Sequence, residues 1–320
     1  MARFILRRLG LSLITLLIIL VIVTLIPNIA PGDPARKIAG GTASPERLAS
    51  VRESLGLDDS VATQLSDLTK SVFTLDFGDS FTKPGETVMG LVSAALWKST
   101  KLVGFSLLLL LPLSIAGGML AAYKKDTWID RTIVNTGLAL SSIPEFVAGV
   151  IFLSVLAVPV EFFKVGANAP AGEGILTQLQ HMLLPAFVVV TVYFGYIARV
   201  TRAGTIAALD ADYSRTAFMK GISTREVFRR HVFRNALQPT VAVVGTQLGY
   251  MFGGMVGLEI VFNYPGLGKT IFNAVTSADY PVLRGGVLIV AIIYMGATLV
   301  ADLIIAWMNP RARLVSEGTA

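Results

Sequence analysis

Uncharged and nearly uncharged stretches divide the chain into six long apolar segments with polar segments between them. The apolar segments are residues 9–32, 102–123, 133–160, 174–198, 235–258 and 285–307. About 20 helical residues cover the hydrocarbon core of a bilayer, so each segment is long enough to cross one. The pattern predicts an all-α membrane protein with six transmembrane helices.

The first apolar segment resembles a secretory signal, because Arg3, Arg7 and Arg8 precede it. Its uncharged run is 24 residues long, however, whereas the apolar core of a cleavable signal has about 7–15. We therefore expect residues 1–30 to form an N-terminal tail and a retained first helix.

Composition agrees with a membrane environment. Hydrophobic residues make up 53% of the 320 positions and charged residues 15%, with a mean hydropathy of +0.68. Soluble domains carry about 25% charged residues. The net charge of +6 raises the question of nucleic acid, but the basic residues gather between apolar segments, so we expect no nucleic-acid binding.

Lysine and arginine positions predict the orientation. With the N-terminus in the cytoplasm, 16 of the 27 basic residues fall in cytoplasmic segments. Seven of the others lie in one outer loop of roughly 70 residues, where the positive-inside rule is weak. We therefore expect a multi-pass protein with both termini in the cytoplasm.

Polar segments suggest the division of the chain. Residues 31–98 form a predicted extracytoplasmic insertion after the first helix, and Ser44-Pro45-Glu46 starts a short helix there that ends near Gly56. Residues 99–310 form the predicted five-helix core with a cytoplasmic loop at 200–237, and residues 311–320 a cytoplasmic tail.

Residues for catalysis or metal binding are sparse. The chain has no cysteine, and His181 and His231 are 50 positions apart, so neither a metal-ligand cluster nor a catalytic triad is indicated. Gly268-Lys269-Thr270 ends like a phosphate-binding loop, but Asn263 stands where that loop needs glycine. We expect no catalytic residue and no cofactor or metal bound by this chain.

The loop at 200–237 is basic and predicts two helices separated by Gly221. Ser223 or Thr224 caps the second helix, where Val227 and Phe228 lie on the apolar face. Such a unit fits a groove on a cytoplasmic partner, and it equally fits the surface of an anionic membrane. The residues by themselves leave both interpretations open.

The same loop resembles the conserved cytoplasmic loop of ABC-importer permeases. The general form is Glu-Ala-Ala, three residues, then Gly, and the matching positions are Arg215, Thr216, Ala217 and Gly221. Arg215 departs from the general glutamate and is similar to the dipeptide/oligopeptide/nickel branch. Further blocks extend the resemblance over nearly the whole chain: the opening Arg-Arg-Leu and residues 31–34, 75–80, 259–268, 279–281 and 309–311.

The resemblance implies a type I ABC-importer permease fold and the role of a transport subunit that is not itself an enzyme. It implies a prokaryotic cytoplasmic membrane, a second homologous permease, two ATPase subunits carrying ATP and Mg, and an extracytoplasmic substrate-binding protein. The expected substrate is a di- or oligopeptide, with nickel, glutathione or another small solute as the alternative. The expected ATPase-coupling residues are Arg215, Thr216, Ala217, Lys220, Gly221, Arg225 and Phe228.

Two acids lie within apolar segments, Glu145 after Pro144 and Asp302 near the end of the chain. Intramembrane acids are candidates for a translocation path, where they would meet a peptide ammonium group; the alternative is an acid hydrogen-bonded between helices. A gradient-driven secondary transporter and a non-transporting scaffold remain the rival classes.

Overall fold

The computed structural model describes residues 2–29, 33–40, 43–54, 56–170 and 172–308, which are largely helical. The α-helices are α1 Ala2–Ile29, α2 Pro34–Ala39, α3 Pro45–Ser54, α4 Val61–Thr74, α5 Val88–Tyr123, α6 Trp128–Ser141, α7 Glu145–Phe152, α8 Ile175–Asp210, α9 Asp212–Met219, α10 Thr224–Val227, α11 Phe233–Gly254, α12 Val256–Val261, α13 Leu267–Thr276 and α14 Tyr280–Met308. π-Helical turns continue α7 at Leu153–Ala157 and α10 at Phe228–Val232. The described residues form one isolated β-bridge, between Asp79 and Thr87.

The chain forms two compact units, each built from segments distant in sequence. Among the described residues, the first unit contains those of 100–264 and 296–308, and the second contains those of 2–99 and 265–295. Leu184, Met251 and Leu258 are fully buried in the main core of the first unit.

Glycines allow the helices of the first unit to approach closely. Gly137 of α6 faces Gly195 of α8, and a Cβ added at Gly137 would lie 2.7 Å from the Gly195 Cα. Gly204 of α8 faces the backbone of Ala236 in α11 in the same manner. Small residues at such crossings bring backbones together and are typical of helix packing in membranes.

A buried carboxylate joins two segments of the second unit. Asp279 lies just before α14, and its side chain accepts hydrogen bonds from the Ser80 hydroxyl and from the backbone N–H and hydroxyl of Thr82. It also accepts a bond from the Val282 N–H, so it caps the start of α14. Asp279 therefore fastens the loop before α5 to the first turn of α14.

Four helices of the described residues are long and apolar enough to cross a membrane: α1 from Arg8 onward, α5, α8 and α14. α6 with α7 and its π-turn make a fifth if that bent pair is one span. α11 coincides with the predicted fifth apolar segment but falls outside this group. The predicted all-α membrane fold is confirmed, while the count of six spans remains a prediction.

The third apolar segment is not the straight helix that its hydropathy suggests. α6 and α7 meet at an angle of 101° on either side of Ser142–Pro144. Proline disfavours helical geometry in the residue before it, which accounts for a break at this point.

The second apolar segment belongs to a longer helix than its hydropathy indicates. α5 begins at Val88, inside the predicted 31–98 insertion, so it crosses the predicted boundary at 98/99 without a break. In the insertion itself, α3 begins where Ser44-Pro45-Glu46 predicts, and the Arg47 N–H donates to the Ser44 hydroxyl. Pro31-Gly32, Leu55, Asn309-Pro310-Arg311 and the predicted tail 311–320 lie outside the described residues.

Candidate functional site

The loop between α8 and α11 folds as the sequence predicts, with one helix on each side of Gly221. α9 ends at Met219, and Gly221 then adopts φ +75°, a left-handed conformation that glycine tolerates best. Ser223 precedes the next helix, which begins at Thr224 and runs through the π-turn into α11 without interruption. We call residues 208–236 the coupling segment.

A small apolar core holds the coupling segment together. Its buried members are Ala208, Ala217, Val227, Val232 and Ala236, and Phe228 packs partly buried against them. The buried Ser214 hydroxyl donates to the Ala208 carbonyl at 2.7 Å. This hydrogen bond and the apolar core link α9 to the end of α8. Sequence reasoning missed Ser214, since an isolated serine carries no signal before the packing is known.

The exposed face of the coupling segment carries both cationic and apolar side chains. Arg215, Thr216, Lys220, Gly221 and Arg225 of the predicted coupling set are exposed, whereas Ala217 is buried. Met219 is also exposed over 89% of its surface. Ala217 and Phe228 thus belong to the core beneath this face, and the other five predicted coupling residues form its exposed surface. Such a surface is suited to a partner groove with acidic edges and an apolar floor.

A second site lies where α6 and α7 meet. The break lines an open cavity of about 360 Å³ with Ser141, Pro144 and Glu145, and Gly254 of α11 also lines it. The Tyr193 hydroxyl of α8 donates to Glu145 Oε1 at 2.6 Å, whereas Glu145 Oε2 is buried without a hydrogen-bond partner. The cavity therefore offers one unsatisfied carboxylate oxygen, which suits a cationic or hydrogen-bond-donating group.

Asp302, the other predicted acid, is not part of this cavity. It is half-buried in the second half of α14, where Ala301 packs against Gly245 of α11. The structure therefore does not bring the two candidate translocation residues into one pocket.

A bidentate ion pair joins α6 to α8. Arg202 Nε and Nη2 contact the two carboxylate oxygens of Asp130 at 2.5 and 2.6 Å, and the Asp126 N–H also donates to Asp130. The side chains are 5% exposed for Asp130 and 25% for Arg202. This pair and Tyr193 were both missed by sequence reasoning, because nothing in the spacing of 72 and 48 residues indicates which helices become neighbours.

Metal ligation finds no support in the part of the chain that the structure describes. It contains no group of three or more His, Cys, Asp or Glu side chains that could hold an ion. The polar chemistry of the first unit thus consists of an exposed basic face, an acid in a cavity and a buried ion pair. These features suit binding and mechanical linkage.

Comparisons with known proteins cover almost the full length of the chain. Residues 114–314 match the family described as the inner membrane component of binding-protein-dependent transport systems, and residues 1–97 match the N-terminal model of the same components.

Full-length relatives give the same result. A Sinorhizobium fredii protein named as a peptide ABC transporter permease is 32% identical over 98% of this chain and 100% of its own length. A Brucella abortus peptide transport system permease is 31% identical and a Salmonella typhi glutathione transport system permease 33% identical, each over 98% of this chain and 99% of the relative. The chain is therefore a multi-pass inner-membrane protein, and it belongs to the family of permease components of binding-protein-dependent ABC transport systems.

Proposed function

We propose that this chain is the permease subunit of an ATP-driven importer that moves di- or oligopeptides across the cytoplasmic membrane. Family membership gives the permease role, and the full-length peptide permeases support peptide as the substrate. The observation that carries the mechanism is the exposed basic face of the coupling segment, which stands on a core continuous with α8 and α11.

In the proposed complex, the chain pairs with a second, homologous permease. Two ATPase subunits bind ATP and Mg and dock on the coupling segment, and an extracytoplasmic binding protein delivers substrate. Both termini lie in the cytoplasm. Closure of the ATPase pair moves α9, and because Ser214 fastens α9 to α8, the spans follow and alternate their access.

Gly221 is the test point for coupling. A Cβ there meets no atom within 4 Å, so a substitution acts through the backbone conformation and not through a clash. We expect Gly221→Val to strain the turn by about 1–2 kcal/mol, to leave assembly intact and to abolish transport. Gly221→Asn is the matched control, since asparagine tolerates left-handed geometry better. Normal uptake by Gly221→Val would refute the coupling role.

Glu145 is the proposed contact for substrate within the spans. Its Oε2 faces no donor, and a peptide ammonium group entering the cavity would supply one. We expect Glu145→Gln to reduce uptake of peptides with a free amino terminus more than uptake of N-acetylated peptides. Glu161→Gln, at an exposed loop position, is the control. Equal losses for both peptide classes would assign Glu145 a structural role.

Glutathione is a second candidate substrate, because the Salmonella typhi relative named for it matches as extensively as the peptide permeases do. Nickel and other small solutes are the remaining alternatives. The coupling and translocation proposals are the same for each of them.

ATP hydrolysis by the complete complex in liposomes tests the function directly. We expect loaded binding protein to stimulate hydrolysis and a peptide pool to accumulate inside. If binding protein stimulates hydrolysis with glutathione or nickel but not with peptides, the substrate is that solute and not a peptide. Uptake that persists without the ATPase subunits would refute ATP-driven import, and no substrate-dependent hydrolysis would indicate a scaffold.

A further inference from the structure

The second unit contains a cavity that no step of the proposed transport cycle uses. Its volume is about 390 Å³, and it is lined by residues of α1, α3, α4, the loop at Phe77–Phe81 and the first turns of α14. Sites for small molecules have volumes of about 300–1,000 Å³. The cavity is therefore large enough for one small ligand of about dipeptide size.

An arginine that forms no ion pair with any described residue lines this cavity. Arg284 is half-buried, its Nη2 donates to the Thr24 carbonyl at 3.3 Å, and its Nε is buried without a hydrogen-bond partner. No carboxylate of the described residues forms an ion pair with it. Arg284 lies in the first turns of α14, directly before the apolar segment 285–307, and a guanidinium group binds carboxylate or phosphate with two parallel hydrogen bonds.

The other charged groups around the cavity are acids with exposed side chains. Glu53, Asp59 and Asp79 line it without an ion pair to any described residue, while a fourth acid, Asp67, pairs with Lys70 at 3.1 Å. Because these carboxylates face solvent and Arg284 is more buried, a simple anion would meet repulsion before it reached the guanidinium. A cation alone would leave Arg284 uncompensated.

We infer that this cavity binds a small zwitterion, with its oxyanion on Arg284 and its ammonium group among Glu53, Asp59 and Asp79. Two sources carry this chemistry, a short peptide with free termini and the headgroup of an ethanolamine phospholipid. The peptide source rests on the proposed function, whereas the headgroup source does not. This cavity and the cavity at Glu145 share no lining residue.

Photo-crosslinking to the assembled complex tests the inference. The probe is a dipeptide with a photoreactive side chain, added without binding protein to the complete complex in nanodiscs of phosphatidylglycerol. We expect labelling within residues 53–81, reduced about tenfold or more by Arg284→Gln because a charge-assisted hydrogen-bond pair is lost. Arg47→Gln, an exposed arginine outside the cavity, is the control and should label normally.

Competition then distinguishes the two sources. If unlabelled dipeptide competes about tenfold better than its C-terminal amide, the ligand is a peptide carboxylate. If replacing part of the phosphatidylglycerol by phosphatidylethanolamine removes the labelling in wild type, the headgroup occupies the site. Labelling that Arg284→Gln leaves unchanged, or an amide that competes as well as the acid while lipid has no effect, overturns the inference.

A second variant decides the matter if Arg284→Gln fails to assemble. Ser71 lines the cavity from α4, so Ser71→Trp fills it and keeps the arginine. Ser66→Trp, at an exposed position of the same helix outside the cavity, is its control. Unchanged labelling in Ser71→Trp overturns the inference. Peptide import in liposomes is measured in parallel, so intact import without cavity labelling would refute only this site.

Discussion

Replacing Gly137 by alanine tests whether the close approach of α6 and α8 is essential to the first unit. The added Cβ would lie 2.7 Å from the Gly195 Cα, whereas ordinary contacts begin near 3.4 Å. The two helices would therefore have to separate by about 0.7 Å. Because the opposing atoms are backbone, no side chain can rotate away to relieve the contact.

The cost follows from overpacking, which destabilises by about 1–3 kcal/mol. Alanine returns about 0.5–1 kcal/mol of helix propensity relative to glycine, so we expect a net loss of about 1 kcal/mol, within a range of about 0–2.5 kcal/mol. Gly296→Ala in α14 is the matched control, since a Cβ there meets nothing within 4 Å. That control should be neutral or slightly stabilising.

Thermal unfolding of the complete complex in nanodiscs is the assay, with peptide uptake measured beside it. We expect Gly137→Ala to lower the melting midpoint and uptake, and Gly296→Ala to change neither. If the two variants behave alike, the contact is not tight in the working protein, and the reasoning from backbone distance is wrong.

Further predictions concern single polar links and the helix break. Asp130→Asn should destabilise the complex by about 1–3 kcal/mol. Breaking a fully buried ion pair costs about 3–5 kcal/mol, and we expect less here because Arg202 is partly exposed. A double-mutant cycle with Arg202→Gln measures the interaction energy of the pair. Asp279→Asn replaces an acceptor oxygen by an NH₂ group facing donors, so it should cost about 1–3 kcal/mol and speed proteolysis of the Ser80 loop. Pro144→Ala should straighten the bent span and lengthen the distance between spin labels in α6 and α7; an unchanged distance would show that packing holds the bend.

Local chemistry explains what the sequence could predict. The turn at Gly221, the start of α3 and the helix start after Ser223 follow from residues within one helical turn of each other, and the structure has each of them. The Ser223 side chain makes no capping hydrogen bond, so only the position of this helix start is as predicted. The apolar face of Val227 and Phe228 is also found in the core of the coupling segment. Each of these signals acts over a few residues, so no knowledge of distant neighbours was needed.

Hydropathy was less informative about the spans themselves. A window average cannot show that Pro144 divides one apolar stretch into two helices, because apolar residues continue on both sides of the proline. Nor could it show that α5 begins at Val88, since the charges at Lys98 and Lys101 interrupt the apolar run without breaking the helix. Helix ends depend on backbone hydrogen bonds and caps, which hydropathy does not measure.

The polar links of the first unit converge on α8, and this gives the coupling proposal a physical route. Tyr193 of α8 contacts Glu145 in α7, and Arg202 of the same helix holds Asp130 in α6. The glycine contact with α6 lies between these two links along α8, and Ser214 fastens the coupling segment to its carboxyl end. A helix held at three points to a bent span transmits displacement to it, because packed interfaces deform little before they rearrange. A shift of α9 driven by an ATPase subunit would therefore reach the Glu145 cavity through α8, and breaking the Arg202 link should weaken the dependence of uptake on ATP before it affects substrate binding.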